Sequence, residues 1–533
     1  MTAVIQHPKL GCIRGRDDGD VVQCLGLKYA TLSDRFATAV LFDEKAAGEI
    51  QATEPGPGVI SLPEGCVLEQ GLIQQSLPVN DLSFSELHGL NLNITIPKGS
   101  RTNLPVFAFI HGGGFGMGSN AWPQYDLKNI VRLSLKNGTP VLGININYRL
   151  GVLGYLTSQE LREAGYESNN GIRDQRIAFE WIRTHAPGFG GDPGNVTVVG
   201  ESAGAISCSL HLQSHEELFQ RAMIMSGTFF LFKPLPLPVA EVAYQSTLKA
   251  LGLDQLAPPE RLKALLQVPT EQLYASIQPE IPLFPVADGH LVHRVPTFGQ
   301  IATQDSSFLP GKFWTQGIMI GDCQFDASIF AILLGPRRKG IAEAFETSIQ
   351  TSLQDHQGLA DAILNSYGIR TARSDEEAMS GILKFINDIA FDAPLKAFCE
   401  GWPEGKAFVY CFNVGNPWEG PGKGQATHIL DIAFLFQNYN DFLTTEQKAV
   451  AEQFGSHFIS FICGEAPFPS HVPGKGGAMV YGSPSEATEF VLSDRPEDVG
   501  RRSIISSIAT EYGMPDTALD AMSAALDRFV AGY

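Results

Sequence analysis

From about residue 105 the chain alternates short apolar or β-branched runs with longer stretches whose apolar positions recur every three or four residues. VFAFI at 106–110 and VLGININ at 141–147 predict buried strands. NGIRDQRIAFEWIRTH follows, with Ile172, Ile177, Ala178, Trp181 and Ile182 on one stripe, which predicts an amphipathic helix. NVTVVG at 195–200 predicts a strand, 203–213 a helix and AMIMS at 222–226 another strand. Such alternation implies a mostly parallel sheet with helices on both faces. Residues 1–100 instead carry Gly-Asp and Pro-Gly turn signals between short strands, predicting antiparallel hairpins. The proline-rich segment 232–238 fits neither a regular helix nor a central strand and opens a helical excursion expected to last to about 310. IMI at 318–320 and AFVYCFNV at 407–414 return the chain to the sheet, and 444–464 and 498–530 predict closing helices within a C-terminal region of about 444–533. No linker divides residues 1–533, so one domain is expected.

Composition narrows the field. The chain has 533 residues, 44% hydrophobic and 18% charged, which excludes disorder and coiled coil as whole-chain readings. Its net charge of −19 disfavours nucleic acid and anionic membranes as partners. No run approaches the ~18 apolar residues of a membrane helix, and the N-terminal MTAVIQHPKLGCIRGR lacks the apolar core of a secretory signal. The eight cysteines are scattered singly, without metal-ligand spacing. Reduced thiols and a cytoplasmic location are therefore expected, with no cofactor and no metal. His211 and His215 lie four apart on a helix but lack the HExxH context of a zinc pair.

The chemistry concentrates at Gly200-Glu201-Ser202-Ala203-Gly204. This GxSxG follows a β-branched strand and opens a helix, the setting in which a strained turn exposes a nucleophilic serine. Upstream, His111-Gly112-Gly113-Gly114-Phe115 follows the strand at 106–110. A glycine run there lets bare amides reach a developing oxyanion, while GxGxxG and Gly-Lys-Ser/Thr spacings for phosphate are lacking.

Taken together, FGGDPGNVTVVGESAG (189–204), HGGGFGMGS (111–119), INYRLGVLGYL (146–156), NNGIRDQRIAFEWI (169–182), MSG (225–227) and PVADG (285–289) resemble the type-B carboxylesterase family, which includes cholinesterases and fungal lipases. The resemblance runs from about residue 10 to 465. It implies the α/β-hydrolase fold with antiparallel N-terminal strands and helical insertions, and a serine esterase acting on small to medium hydrophobic esters. It further implies Ser202 as nucleophile, with Gly113, Gly114 and Ala203 as oxyanion donors. The orienting acid is expected in IMIGDCQFDASIF, where the family usually has Glu-Gly; here Asp326-Ala327 occupies that place, with Asp322 as the alternative. Of the downstream histidines, His428 in ATHILD matches the general base, whereas His457 falls inside a helix pattern. Glu201 and Ser226 match polar positions near the histidine.

Gly89 stands where the family usually has a cysteine, which argues against its N-terminal disulfide and the loop that disulfide closes. The absence of tryptophan before Trp122 argues against a choline-type cation site. Phe115, Phe229 and Phe230 are candidates for the substrate wall. Acyl transfer or lactone chemistry through the same acyl-enzyme, and a non-catalytic binding relative, are the competing readings.

Overall fold

The structure is a computed structural model and describes residues 1–99, 101–277, 282–482 and 487–532; residues 278–281 of the expected helical excursion and 483–486 of the C-terminal region lie outside the described residues. Its main sheet is built from β1 (Thr2–His7), β2 (Gly11–Asp18), β3 (Val21–Lys28), β4 (Ile50–Ala52), β5 (Asn91–Pro97), β6 (Leu104–Ile110), β7 (Leu142–Ile146), β8 (Gly191–Glu201), β9 (Arg221–Met225), β10 (Gly317–Cys323), β11 (Ala407–Phe412), β12 (Ala478–Tyr481) and β13 (Thr488–Val491). The spatial order is β1-β2-β3-β5-β7-β6-β8-β9-β10-β11-β12-β13, with β4 beside β2. Strands β7 to β12 are parallel to one another, whereas β1, β2, β3, β5 and β7 pair antiparallel in turn, as the turn-rich N-terminal sequence predicts.

The central strands are apolar without interruption because both faces are covered. Val106, Ala108 and Ile110 of β6 enter one core with Ile172, Trp181 and Ile206. The intervening Phe107 and Phe109 enter the opposite core with Ile130, Val131, Phe454 and Phe458. The helix at 170–185 is fixed from inside by Arg149, whose guanidinium donates to both oxygens of Asp174 at 2.7 and 2.8 Å with both groups buried. The excursion after 232 is helical over 237–250, 258–267, 270–275 and 298–302.

Two elements depart from the sequence expectations. Strands β12 and β13 extend the sheet between the closing helices 445–462 and 504–511, on a stretch where only helices were expected. Residues 65–73 form a helix inside the region read as hairpins. Its buried face mixes Cys66 and Ile73 with Glu69 and Gln70, while Val67 and Leu68 are 62% and 52% exposed. Its polar side chains are buried because partners await them, Gln124 Nε2 donating to Glu69 Oε1 at 2.9 Å.

Candidate active site

The site lies at the carboxyl ends of β6, β8, β10 and β11, where a parallel sheet gathers loops and helix N-termini. At the end of β8 the chain turns sharply into the helix 203–211. Ser202 occupies that corner at φ 55°, ψ −119°, a conformation an L-residue holds only when its surroundings impose it. Sterics explain the flanking glycines. A Cβ on Gly200 would strike the carbonyl of Gly204, and one on Gly204 would strike the carbonyl of Ile110. A Cβ on Gly112 would come within 2.5 Å of Glu201 Oε2 and 3.1 Å of Ser202 Cβ, so the glycine run lies directly against the serine corner. Gly113 and Gly114 both hold positive φ, 92° and 59°.

His111, which opens that run, is stacked on Tyr148 with ring centroids 4.6 Å apart, and its Nδ1 lies 3.0 Å from the Gly112 carbonyl oxygen. Burial pushes its imidazole down to about 4, so it stays neutral. It serves as a wedge under the glycine run.

His428 approaches from the loop after β11. Its Nδ1 is 2.8 Å from Asp326 Oδ1, and its Nε2 is 3.3 Å from Oε1 of Glu201, the residue before Ser202. The other oxygen of Asp326 accepts from the Cys323 N–H at 2.8 Å. The two loops are tied together: the Phe325 N–H donates to the Ala426 carbonyl, and the His428 N–H donates to the Ser328 hydroxyl at 3.0 Å. Phe391, on a π-helical turn at 388–392, packs its ring against the imidazole at 6.0 Å.

Asp322 does not join this group. It points to Arg501, which donates to it from Nη2 at 2.5 Å and Nε at 3.2 Å. His457 lies elsewhere, its Nδ1 2.7 Å from the Tyr481 hydroxyl, and His211 is held by Gln175 at 2.8 Å. Among the described residues no group of three His, Cys, Asp or Glu is arranged to hold a metal.

Three further acids surround His428. Burial first, then the charges of Asp431, Glu69 and Asp326, hold Glu201 well above the usual carboxylate range. Burial likewise raises Glu69 to about 7 and Asp431 to about 6. Asp431 accepts from the Tyr410 hydroxyl at 2.8 Å. Glu69 and Asp431 were not singled out from sequence. Asp431 carried a signal, lying three residues after His428 within an apolar run; Glu69 carried none beyond being a charge on an otherwise apolar segment.

Phe115, Phe229 and Phe230 are core side chains, packed in an aromatic layer: Phe115 on Tyr155 and Phe284, Phe229 on Phe398, Phe230 stacked on Phe298 at 4.3 Å. Half-buried Phe232 stacks on Phe284 at 5.1 Å beside them. Ser226, at φ 52°, directly follows β9 and donates its N–H to the Gly321 carbonyl of β10.

The sheet order, the strand-end corner and the glycine run together define an α/β-hydrolase. Residues 2–488 match the Carboxylesterase family, and the chain belongs to it: it is a carboxylic ester hydrolase. Among its relatives is a protein named "Probable N-octanoylanthranilate hydrolase AqdA2" from Rhodococcus erythropolis, 28% identical over 80% of this chain and 83% of that protein. The juvenile hormone esterase of Heliothis virescens is 32% identical over 51% of this chain and 48% of its own, and Lipase 1 of Yarrowia lipolytica 37% over 39% and 41%. A PNB esterase structure superposes with a TM-score of 0.72 at 23% identity, covering 93% of this chain and 98% of its own. Some relatives are secreted lipases, such as that of Arthroderma benhamiae. No helix among the described residues is long and apolar enough to cross a membrane.

Proposed function

We propose that Ser202, His428 and Asp326 cleave esters through an acyl-enzyme. The observation that carries this reading is the 2.8 Å contact of His428 Nδ1 with a buried Asp326 beside the strained corner of Ser202. Asp326 fixes the imidazole with its proton on Nδ1 and leaves Nε2 free as base. The serine Oγ–carbonyl carbon bond forms as Nε2 takes the hydroxyl proton. The tetrahedral oxyanion is met by the amides of Gly113, Gly114 and Ala203. Collapse breaks the ester C–O bond, His428 returns the proton to the departing alcohol, and water repeats the cycle on the acyl-enzyme.

Glu201 fits this scheme because burial favours its neutral form. A neutral Glu201 puts no full negative charge beside Nε2.

For substrate, half-buried Phe232 and Phe284, stacked at 5.1 Å beside the buried Phe115, support a hydrophobic acyl group. A relative whose name includes an octanoyl group agrees with a hydrophobic acyl part. We keep the cytoplasm as the proposed compartment, on the ground that all eight cysteines carry free thiols. The first experiment is fluorophosphonate labelling of wild type and Ser202→Ala, with p-nitrophenyl acetate, butyrate and octanoate turnover alongside. Labelling and turnover lost together in the variant is the expected result. A folded wild type that takes no label overturns the assignment.

A further inference from the structure

The turn from β10 carries two buried carboxylates four residues apart, and they face different partners. Asp326 reaches His428. Asp322 is enclosed by Arg501, which meets it three times: Nη2 and Nε donate to Oδ1, and Nη2 also donates to the Asp322 main-chain carbonyl at 3.0 Å. Its remaining nitrogen, Nη1, donates to Asn413 Oδ1 at 2.5 Å, at the end of β11. Both ionic groups are buried.

Arg501 belongs to a short strap, residues 499–502, laid across the carboxyl ends of β10 and β11. Gln324 Nε2 donates to the Gly500 carbonyl at 3.1 Å and Asn413 Nδ2 to the Val499 carbonyl at 3.1 Å. Gly500 has φ +75°, and a Cβ there would lie 2.7 Å from Asn413 Nδ2, so the strap is seated as closely as backbone allows. The next residue, Arg502, donates to Asp388 of the π-helical turn that carries Phe391 against His428. The strap thus touches the acid strand directly and reaches the histidine through Asp388 and Phe391 of the π-helical turn.

Charge gives the arrangement its purpose. The titratable groups facing Asp322 are Arg501 from the strap, Asp326 from its own turn, Asp392 from the π-helical turn, and the thiols of Cys323, Cys399 and Cys411. Arg501 is the cation that touches Asp322, while Lys396 pairs with Asp392 at 2.8 Å and also faces Cys411. Burial raises the Asp322 carboxyl, and the two-nitrogen contact from Arg501 opposes that and favours the charged form. Remove the cation, and a second acid faces Asp326 across the turn.

We propose that Asp322 and Arg501 form a charge-balanced clamp that positions the orienting acid, with Arg501 a positioning residue acting through Asp322 on Asp326. The proposal rests on the triad reading above. The clamp holds the strand end in register and presents Asp326 with a neutral neighbour, so that its charge is spent on His428.

Opposite variants test it. Asp322→Asn leaves Arg501 unbalanced; its positive charge then disfavours the imidazolium, and the acid limb of the kcat/KM profile moves to lower pH by about half a unit or more, with KM unchanged. Arg501→Met leaves a buried acid without its cation, and kcat falls about tenfold or more. Combining the two restores balance, returning the limb to its wild-type pH and the rate to within about threefold. A folded Asp322→Asn with an unmoved limb overturns the clamp, as does a double variant as impaired as its worse parent. Asp326→Asn separates this from the reading beneath it: an active Asp326→Asn sinks the triad, whereas an inactive one beside indifferent Asp322 and Arg501 variants sinks only the clamp.

Discussion

The serine corner and the acid–histidine side face each other across the same site, yet they are held by different physics. At the corner, Gly200, Gly204 and Gly112 are fixed by the absence of room: a Cβ on any of them meets backbone or a buried side chain. No charge is needed. On the other side, Arg501 is packed on Asp322, and Asp326, Glu201, Asp431 and Glu69 gather around His428, with burial raising Asp322, Glu201, Asp431 and Glu69 above the usual carboxylate range. Shape sets one half and charge balance the other. Damage to the first should therefore be insensitive to pH, and damage to the second should not.

The largest effect is expected on the charged side. Asp326→Asn keeps the size of the side chain but presents an amide that no longer fixes the imidazole tautomer; kcat should fall about ten-thousand-fold with the fold intact. Stopped-flow turnover beside a circular-dichroism melt checks both halves of that statement, and a loss below about tenfold would break the charge account. On the shape side, Gly204→Ala drives a methyl into the Ile110 carbonyl, costing about 3 kcal/mol of stability and most of the activity. Urea unfolding should show the same deficit at pH 6 and pH 8; a deficit that varies with pH would blur the distinction.

The same contrast governs what the sequence disclosed. The corner was legible because its constraint is local: five residues and one upstream glycine run suffice to encode a turn without room for Cβ atoms. The strand runs at 106–110, 141–147 and 195–200 were legible for a similar reason, since burial on both faces writes a continuous apolar signature. The charged side is assembled from residues 69, 201, 322–326, 428–431 and 501, remote in the chain, and no periodicity marks them. Arg501 is invisible until the strap is seen to cross β10. The helix at 65–73 was not legible for an opposite reason: its inward face mixes Cys66 and Ile73 with Glu69 and Gln70 while Val67 and Leu68 face outward, so no apolar stripe marks it.

Glu69 sharpens the comparison at intermediate size. Its folded pKa is about 7 against an ordinary value of 4.5, so the folded state holds the proton more tightly than the unfolded chain. Its contribution to stability is complete below pH 4.5 and is lost as pH rises through about 7. Glu69→Gln can still accept from Gln124 and has no proton to lose. Relative to wild type it should gain up to about 3 kcal/mol between pH 5 and pH 8. Equal stability differences at the two pH values would show that the inward face of this helix belongs to the shape half of the site.

Ser226 carries the smallest expected effect and joins the two halves. It follows β9, whose last residue accepts the Ser202 N–H through the Met225 carbonyl, and its own N–H donates to Gly321 of the acid strand. Its φ of 52° costs an L-residue about 1 kcal/mol, and its buried Oγ has no protein partner among the described residues. The two penalties together predict that the hydroxyl serves the site rather than the fold. Ser226→Gly removes the strain and the lone hydroxyl together, at some entropic cost from the more flexible unfolded chain. Stability should then rise by about 0.5 kcal/mol while kcat/KM falls several-fold. If instead stability falls and the rate holds, the hydroxyl is bonded for the fold, and the joint between the two halves is structural.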